Sequence, residues 1–241
     1  AQRRSVPAWG EAIEWVRAGN IGKILFSRGL CYKPRPSIGK VAEPQPIPAG
    51  IDYDLWCGPR EKAPLMREKL HYDWHWQWPY GNGDLGNQGA HQMDIAAWAV
   101  GANSLASRVA VVGGRFGYVD DGQTPNTIFT ILDYPDAPVI FEVQGLPTEK
   151  GGRAMNKYKG QSIANIVECE GGWLAEGHAF DKDGKEIKQF DIPNGTPGAG
   201  PHVANFLKAV RSRKASDLTG PLLSGHIAAG LVHQANIGYR I

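Results

Sequence analysis

Hydrophobic spacing changes period several times along the chain, and each change marks an element. Over residues 7–18, Trp9, Ala12, Ile13 and Val16 fall at helical spacing; Pro7 suits a first turn and Gly19 a stop. Residues 21–31, with Ile24, Phe26 and Leu30, read as a strand. Prolines crowd residues 34–48 and deny that stretch ladder hydrogen bonds, which predicts a long ordered loop or lid. Residues 71–80 then alternate strictly: Tyr72, Trp74, Trp76, Trp78 and Tyr80 against His71, Asp73, His75 and Gln77. In an extended chain this places the aromatic rings on one side and the polar groups on the other. After the break at residues 81–84, a helix is expected over 88–100, burying Ala90, Met93, Ala97 and Trp98.

From there the period shortens to that of strands. Apolar or β-branched runs at 109–112, 127–132, 139–143 and 164–167 are separated by turn residues such as Asp120-Asp121-Gly122 and Pro135-Asp136. Asp181-Lys182-Asp183-Gly184 signals a hairpin. It begins like a calcium loop, but the later ligands and closing Glu are missing. The end is helical again. Val203, Phe206, Leu207 and Val210 fall at helical spacing within 202–211, as do Ile227, Leu231 and Ala235 within 222–239. This order predicts an α+β fold: a large, mostly antiparallel sheet with helices packed on one face. The other face would be left bare, so a homo-oligomer through that face is expected.

Composition narrows the picture only a little. The chain has 241 residues, 42% hydrophobic and 21% charged, with a net charge of +2, which gives no footprint for nucleic acid. No apolar run nears the roughly 20 residues of a membrane span. The three cysteines, Cys31, Cys57 and Cys169, have neither disulfide nor zinc spacing and read as small buried hydrophobes. His71, His75 and Asp73 would lack a fourth ligand, so no metal is expected there. Eight tryptophans point to a large aromatic core or to surfaces that stack on a sugar-like ring. His226 and His233, seven residues apart on one helical face, suggest packing or an interface.

The segment with most chemical content is Gly83-Asp84-Leu85-Gly86-Asn87-Gln88-Gly89-Ala90-His91-Gln92-Met93-Asp94. A glycine-rich turn opens into a helix and sets a histidine in its first turn, where an imidazole can exchange protons near neutral pH. From spacing alone, a helix-capping loop with a hydrogen-bonded histidine accounts for it as well.

This segment resembles the motif G-G-G-x-x-x-D-x-G-x-H-x-x-D of the Gfo/Idh/MocA oxidoreductases, with Gly83, Gly86, Gly89, His91 and Asp94 in register. Three further stretches resemble the same family. They are Arg3 to Ile24 with its V-R-x-G-x-I-G-K-I ending, Asp52 to Pro59 as D-x-x-L-W-x-G-P, and the tail from His202 to Arg213 and from Gly225 to Arg240. The resemblance implies that residues 1–20 are the remnant of the last Rossmann helix and crossover. Residues 21–241 would be the C-terminal, substrate-binding and oligomerisation domain. It implies NAD or NADP as cofactor of the full-length protein, a sugar, cyclitol or related polyol as substrate, and His91 as the proton-transfer residue. Asn87 stands where the family often has Asp and cannot relay a proton; Asp84 and Asp73 are the possible substitutes. Asp73, Trp74, His75, Tyr80, Gln88 and Asp94 are the candidate substrate contacts.

No G-x-G-x-x-G turn follows a strand at the start of the chain, and the family's Glu-Lys-Pro segment has no counterpart, since Glu61-Lys62-Ala63-Pro64 lies too late to be one. No tight nicotinamide binding and no hydride transfer are therefore expected of this chain alone. A cytoplasmic location is the default expectation. Tyr80 to His91 also resembles the version of the motif found in NAD-dependent glycosidases of the superfamily. A third possibility is a non-catalytic module for dimerisation or carbohydrate binding.

Overall fold

The computed structural model describes residues 2–192 and 199–241. Pro7 opens α1 (Pro7–Arg17), which buries Ala8, Trp9, Ala12, Ile13 and Val16, the stripe its spacing predicts. Strand β1 (Ile24–Tyr32) follows. Residues 33–82 then contain only α2 (Tyr53–Cys57) and a 3₁₀ turn (Asp73–Trp76). Helix α3 (Gly83–Asn87) runs almost directly into α4 (Gly89–Ala99). The strand-rich half gives β2 (Arg108–Gly114), β3 (Thr127–Asp133), β4 (Val139–Gln144), β5 (Ile163–Cys169), β6 (Gly172–Ala175), β7 (His178–Asp181) and β8 (Glu186–Gln189). Helices α5 (Ala199–Ser212) and α6 (Leu222–Arg240) close the chain.

All eight strands form one sheet in the order β2-β3-β4-β1-β5-β6-β7-β8. Every neighbouring pair is antiparallel except β1 and β4. The α+β architecture expected from the sequence is thus the one observed. Strand β1 sits in the middle because it joins the two halves of the sheet, pairing with β4 on one side and β5 on the other.

The row Val111–Thr130–Phe141–Gly29–Asn165 crosses five strands on the side covered by helices. Gly29 makes that cover possible at the centre. A Cβ there would lie 2.6 Å from Cβ of Gln92 and 3.0 Å from the Phe141 ring, so α4 can lie against β1 only over a glycine. Around this contact Cys31, Met93, Phe141, Val143 and Leu231 form the main core. Helix α1 adds a second layer, with Trp9 and Ile13 packed against Ile95 of α4. The opposite side is uneven. Leu30, Tyr32 and Ile166 lie beneath Tyr158, Trp173 and Phe180, whereas Val112 is 69% exposed and Ile131 is also exposed near the β2 edge.

The alternation at 71–80 does not make an extended segment. Tyr72 has φ 63°, and the chain turns into 3₁₀ geometry at Asp73. The rings are therefore dispersed rather than aligned. Trp76 is buried between the guanidinium groups of Arg35 and Arg115, each 5.5 Å from its ring. Trp78 sits beside Tyr239 and Arg240 of α6. The polar partner Gln77 is buried, because Arg67 donates to its Oε1 at 2.9 Å. Hydrogen-bonded pairing of buried polar groups overrides the periodicity here. At the β7–β8 turn, the Asp181 carboxylate accepts from the amides of Asp183 and Lys185, a hairpin cap of the kind its sequence announced.

Candidate functional site

The site is built around the head of α4. Gly83 has φ +64°, and a Cβ there would meet Thr124 Oγ1 at 2.9 Å, so only glycine turns the chain into α3 at this point. Helix α3 is one short turn, and Gln88 links it to α4. His91 lies in the first turn of α4 and is exposed, while Gln92, Met93 and Asp94 after it are buried. The helix is thus fixed along its inner side and presents the imidazole outward. The His91 pKa is lowered below its ordinary 6.5, first by desolvation from the surrounding chain and further by the charges of Arg3 and Lys33; Asp94 pulls the other way. A shift in this direction favours the neutral ring, the form that can accept a proton.

Two polar chains brace this surface. In the first, Lys33 Nζ donates to Gln88 Oε1 at 3.4 Å, and Gln88 Nε2 donates to Gln92 Oε1 at 2.9 Å. Asn165 Nδ2 of β5 then donates to the Gln92 backbone oxygen at 2.8 Å. In the second, Asn87 Nδ2 donates to Asp84 Oδ1 at 3.0 Å, and Arg35 grips both oxygens of Asp84 at 2.7 and 2.6 Å. Arg35 also donates to the Tyr72 hydroxyl, which ties the 71–80 segment to the site. The Asp84 side chain is 1% exposed and that of Arg35 only 11%, so this pair is held largely out of water. Burial lowers the Arg35 pKa, but the hydrogen bonds and charge of Asp84 outweigh it and raise the pKa overall.

Lys33 and Arg35 belong to the site although the sequence reading did not single them out. The signal was available: Gly29, Cys31, Lys33 and Arg35 share one parity, so all four point to the side of the sheet where α3 and α4 lie. Asp94 is placed differently. It lies on the inner side of α4, where Arg4 Nε donates to Oδ1 at 2.9 Å and to Oδ2 at 3.1 Å. Its position fits anchoring of the helix.

The 71–80 segment forms a second centre. Trp74, His75 and Tyr80 line a cavity of about 300 Å³ together with Asn82, Asn87 and His233. Trp74 stacks on His75, with ring centroids 4.4 Å apart. Asn87 touches both centres, through this cavity and through Asp84. Asp73 lines a separate cleft of about 140 Å³ with Arg35, Tyr72 and Trp76, and desolvation raises its pKa above the usual carboxylate value. The structure thus gathers Asn87, Gln88 and His91 at the head of α4, buries Asp84 and Asp94 behind them, and groups Trp74, His75 and Tyr80 beside Asn87.

Residues 24–113 match the model of the C-terminal alpha/beta domain of the Gfo/Idh/MocA oxidoreductase family, in agreement with the resemblance read from the sequence. No curated protein sequence matches the chain. Among solved structures, the chain is similar to the WlbA dehydrogenase of Bordetella pertussis in complex with NADH and UDP-GlcNAcA. It is 15% identical over 99% of this chain and 59% of that one, with a TM-score of 0.61. It is also similar to levoglucosan dehydrogenase in complex with NADH and levoglucosan, 18% identical over 98% of this chain and 62% of that one, TM-score 0.58. A third is a super-repressor mutant of Gal80p from Saccharomyces cerevisiae, 12% identical over 99% of this chain and 62% of that one, TM-score 0.55. At these identities the likeness is one of fold. The chain spans 59% to 62% of the length of these structures.

Proposed function

We propose that this chain is the substrate side of an NAD(P)-dependent oxidoreductase acting on a sugar, cyclitol or related polyol. The observation that carries the reading is His91: exposed, with a lowered pKa that favours the neutral ring, in the first turn of a helix that is mostly buried. Similar structures that hold NADH with a sugar-type ligand support it. Among the described residues the G-x-G-x-x-G run Gly81 to Gly86 follows the 3₁₀ turn and not a strand of the sheet, unlike a dinucleotide-binding turn. The cofactor would sit in a companion domain and supply the hydride acceptor.

On the substrate side, His91 takes the proton from the hydroxyl that is being oxidised. A neutral imidazole at the edge of a fixed helix is suited to this. Lys33 and Gln88 orient the neighbouring hydroxyls, and Asn87 does the same from the Asp84 side. The aromatic wall of Trp74 and Tyr80 packs on the apolar side of a ring. A second copy of the chain would cover the sheet around Val112 and Ile131.

The test uses the product of the whole gene, with NAD⁺ and NADP⁺ and a panel of aldoses, sugar acids and cyclitols. Sugar-dependent formation of reduced cofactor is expected, with a loss of turnover in His91→Ala. Unchanged turnover in that variant would remove the role given to His91. A non-catalytic reading is favoured by the likeness to Gal80p. It predicts ligand binding without cofactor reduction in the same assay.

A further inference from the structure

Two cavities lie side by side along α6. The smaller, of about 300 Å³, is the one that Trp74 and Tyr80 line beside Asn87. The larger, of about 760 Å³, continues from it toward the end of α6, and the two share Tyr80, Gly81, Asn82 and His233. Part of the lining is a single face of α6, since Ala229, His233, Asn236, Ile237 and Arg240 recur at helical spacing. The rest of the larger cavity is lined by the stretch from Trp78 to Asn82, which is held in place. A Cβ at Gly81 would lie 2.7 Å from Cα of His75, so this stretch folds back on the 3₁₀ turn only through a glycine. The Trp78 amide donates to Gln123 Oε1 at 3.0 Å, and Trp56 meets Tyr80 edge-on with ring centroids 4.9 Å apart.

We propose that the larger cavity is a second subsite for a further sugar ring, so that the substrate is a glycoside of two or more rings and not a free monosaccharide. The inference rests on the reading above for the position of the reacting ring. Three observations select this ligand. The smaller cavity is at the low end of the volumes usual for small-molecule sites, and the larger one that opens from it leaves room for more than one ring. Asn236 lines the larger cavity and is 8% exposed, and its Oδ1 has no hydrogen-bond partner among the described residues. A buried amide in that state carries a desolvation cost that a ligand hydroxyl, by donating to it, removes. The third observation is charge. Among the described residues no Asp or Glu lines either cavity, and Arg240, 4.9 Å from the Trp78 ring, is the one Lys or Arg. A neutral, hydroxylated ring matches this lining: it packs against Trp78, and its hydroxyls meet Asn236 and His233. A diphosphate linkage would call for more cations than this.

The experiment is calorimetric titration of the product of the whole gene, with NADH present, against matched sugars: glucose with cellobiose and maltose, galactose with lactose, xylose with xylobiose. Formation of reduced cofactor from NAD⁺ and NADP⁺ is followed separately with the same sugars. In at least one pair the disaccharide should bind at least about tenfold more tightly than its monosaccharide. Trp78→Ala should bring that ratio to within about twofold of one. Ile237→Trp should do the same by filling the larger cavity, and since Ile237 is 59% exposed this change leaves the fold intact. A ratio near one in every pair, or no binding of either member, would overturn the proposal. So would a preference that survives both variants, because the second ring would then lie elsewhere. Cofactor reduction by monosaccharides with no preference for disaccharides would remove the second subsite and leave the oxidoreductase reading standing. A preference that both variants abolish, without any cofactor reduction, would keep the subsite and remove that reading.

Discussion

Eight of the 11 residues of α4 are buried, against none of those described in α5. The two helices show that periodicity and environment are separate facts. Helix α4 is wedged between β1, α1 and α6, and its one histidine points outward. Helix α5 has the cleaner apolar stripe and the emptier surroundings. The first helix offers a fixed surface, the second an open apolar one.

The comparison can be broken at several points. The largest effect is expected from His91→Ala in the product of the whole gene: a loss of about 10²- to 10⁴-fold in kcat for the proposed reaction, as for removal of a proton-transfer group. Its stability should move by less than about 0.5 kcal/mol, since the ring is exposed. Asp84→Asn should cost about 3 to 5 kcal/mol in urea unfolding, because it leaves the Arg35 charge without its counterion in a largely buried position. Gly29→Ala should cost about 1 to 3 kcal/mol, since the new methyl would displace Gln92 and Phe141. Phe206→Asp should change the stability of the 241-residue chain by less than about 0.5 kcal/mol, as for other exposed positions. Unfolding of the chain by that last change would mean that α5 is already packed within this domain.

Much of this contrast is legible in the sequence, and the limits are instructive. The runs that become α1, α4, α6 and the sheet are visible because their apolar residues meet other apolar residues, and burial enforces the period. The 71–80 segment shows the opposite. Its alternation is strict, yet Trp76 lies under two arginines and Gln77 is held by Arg67, contacts that come from residues 35, 67 and 115 and leave no local trace. The parity of Lys33 and Arg35 with Gly29 was readable, but their partners Gln88 and Asp84 lie about 50 residues on. For α5, the sequence shows the stripe and says nothing of its cover.

The pH dependence of kcat/KM for wild type and His91→Ala tests the central claim most directly. His91 must be neutral to accept a proton, so activity should rise with pH through its pKa. That pKa is lowered, so the rise should lie below pH 6.5 and the rate should be level at neutral pH. In His91→Ala this acid limb should vanish along with most of the rate. An acid limb that persists unchanged in the variant, or one centred above pH 6.5 in the wild type, would contradict the account.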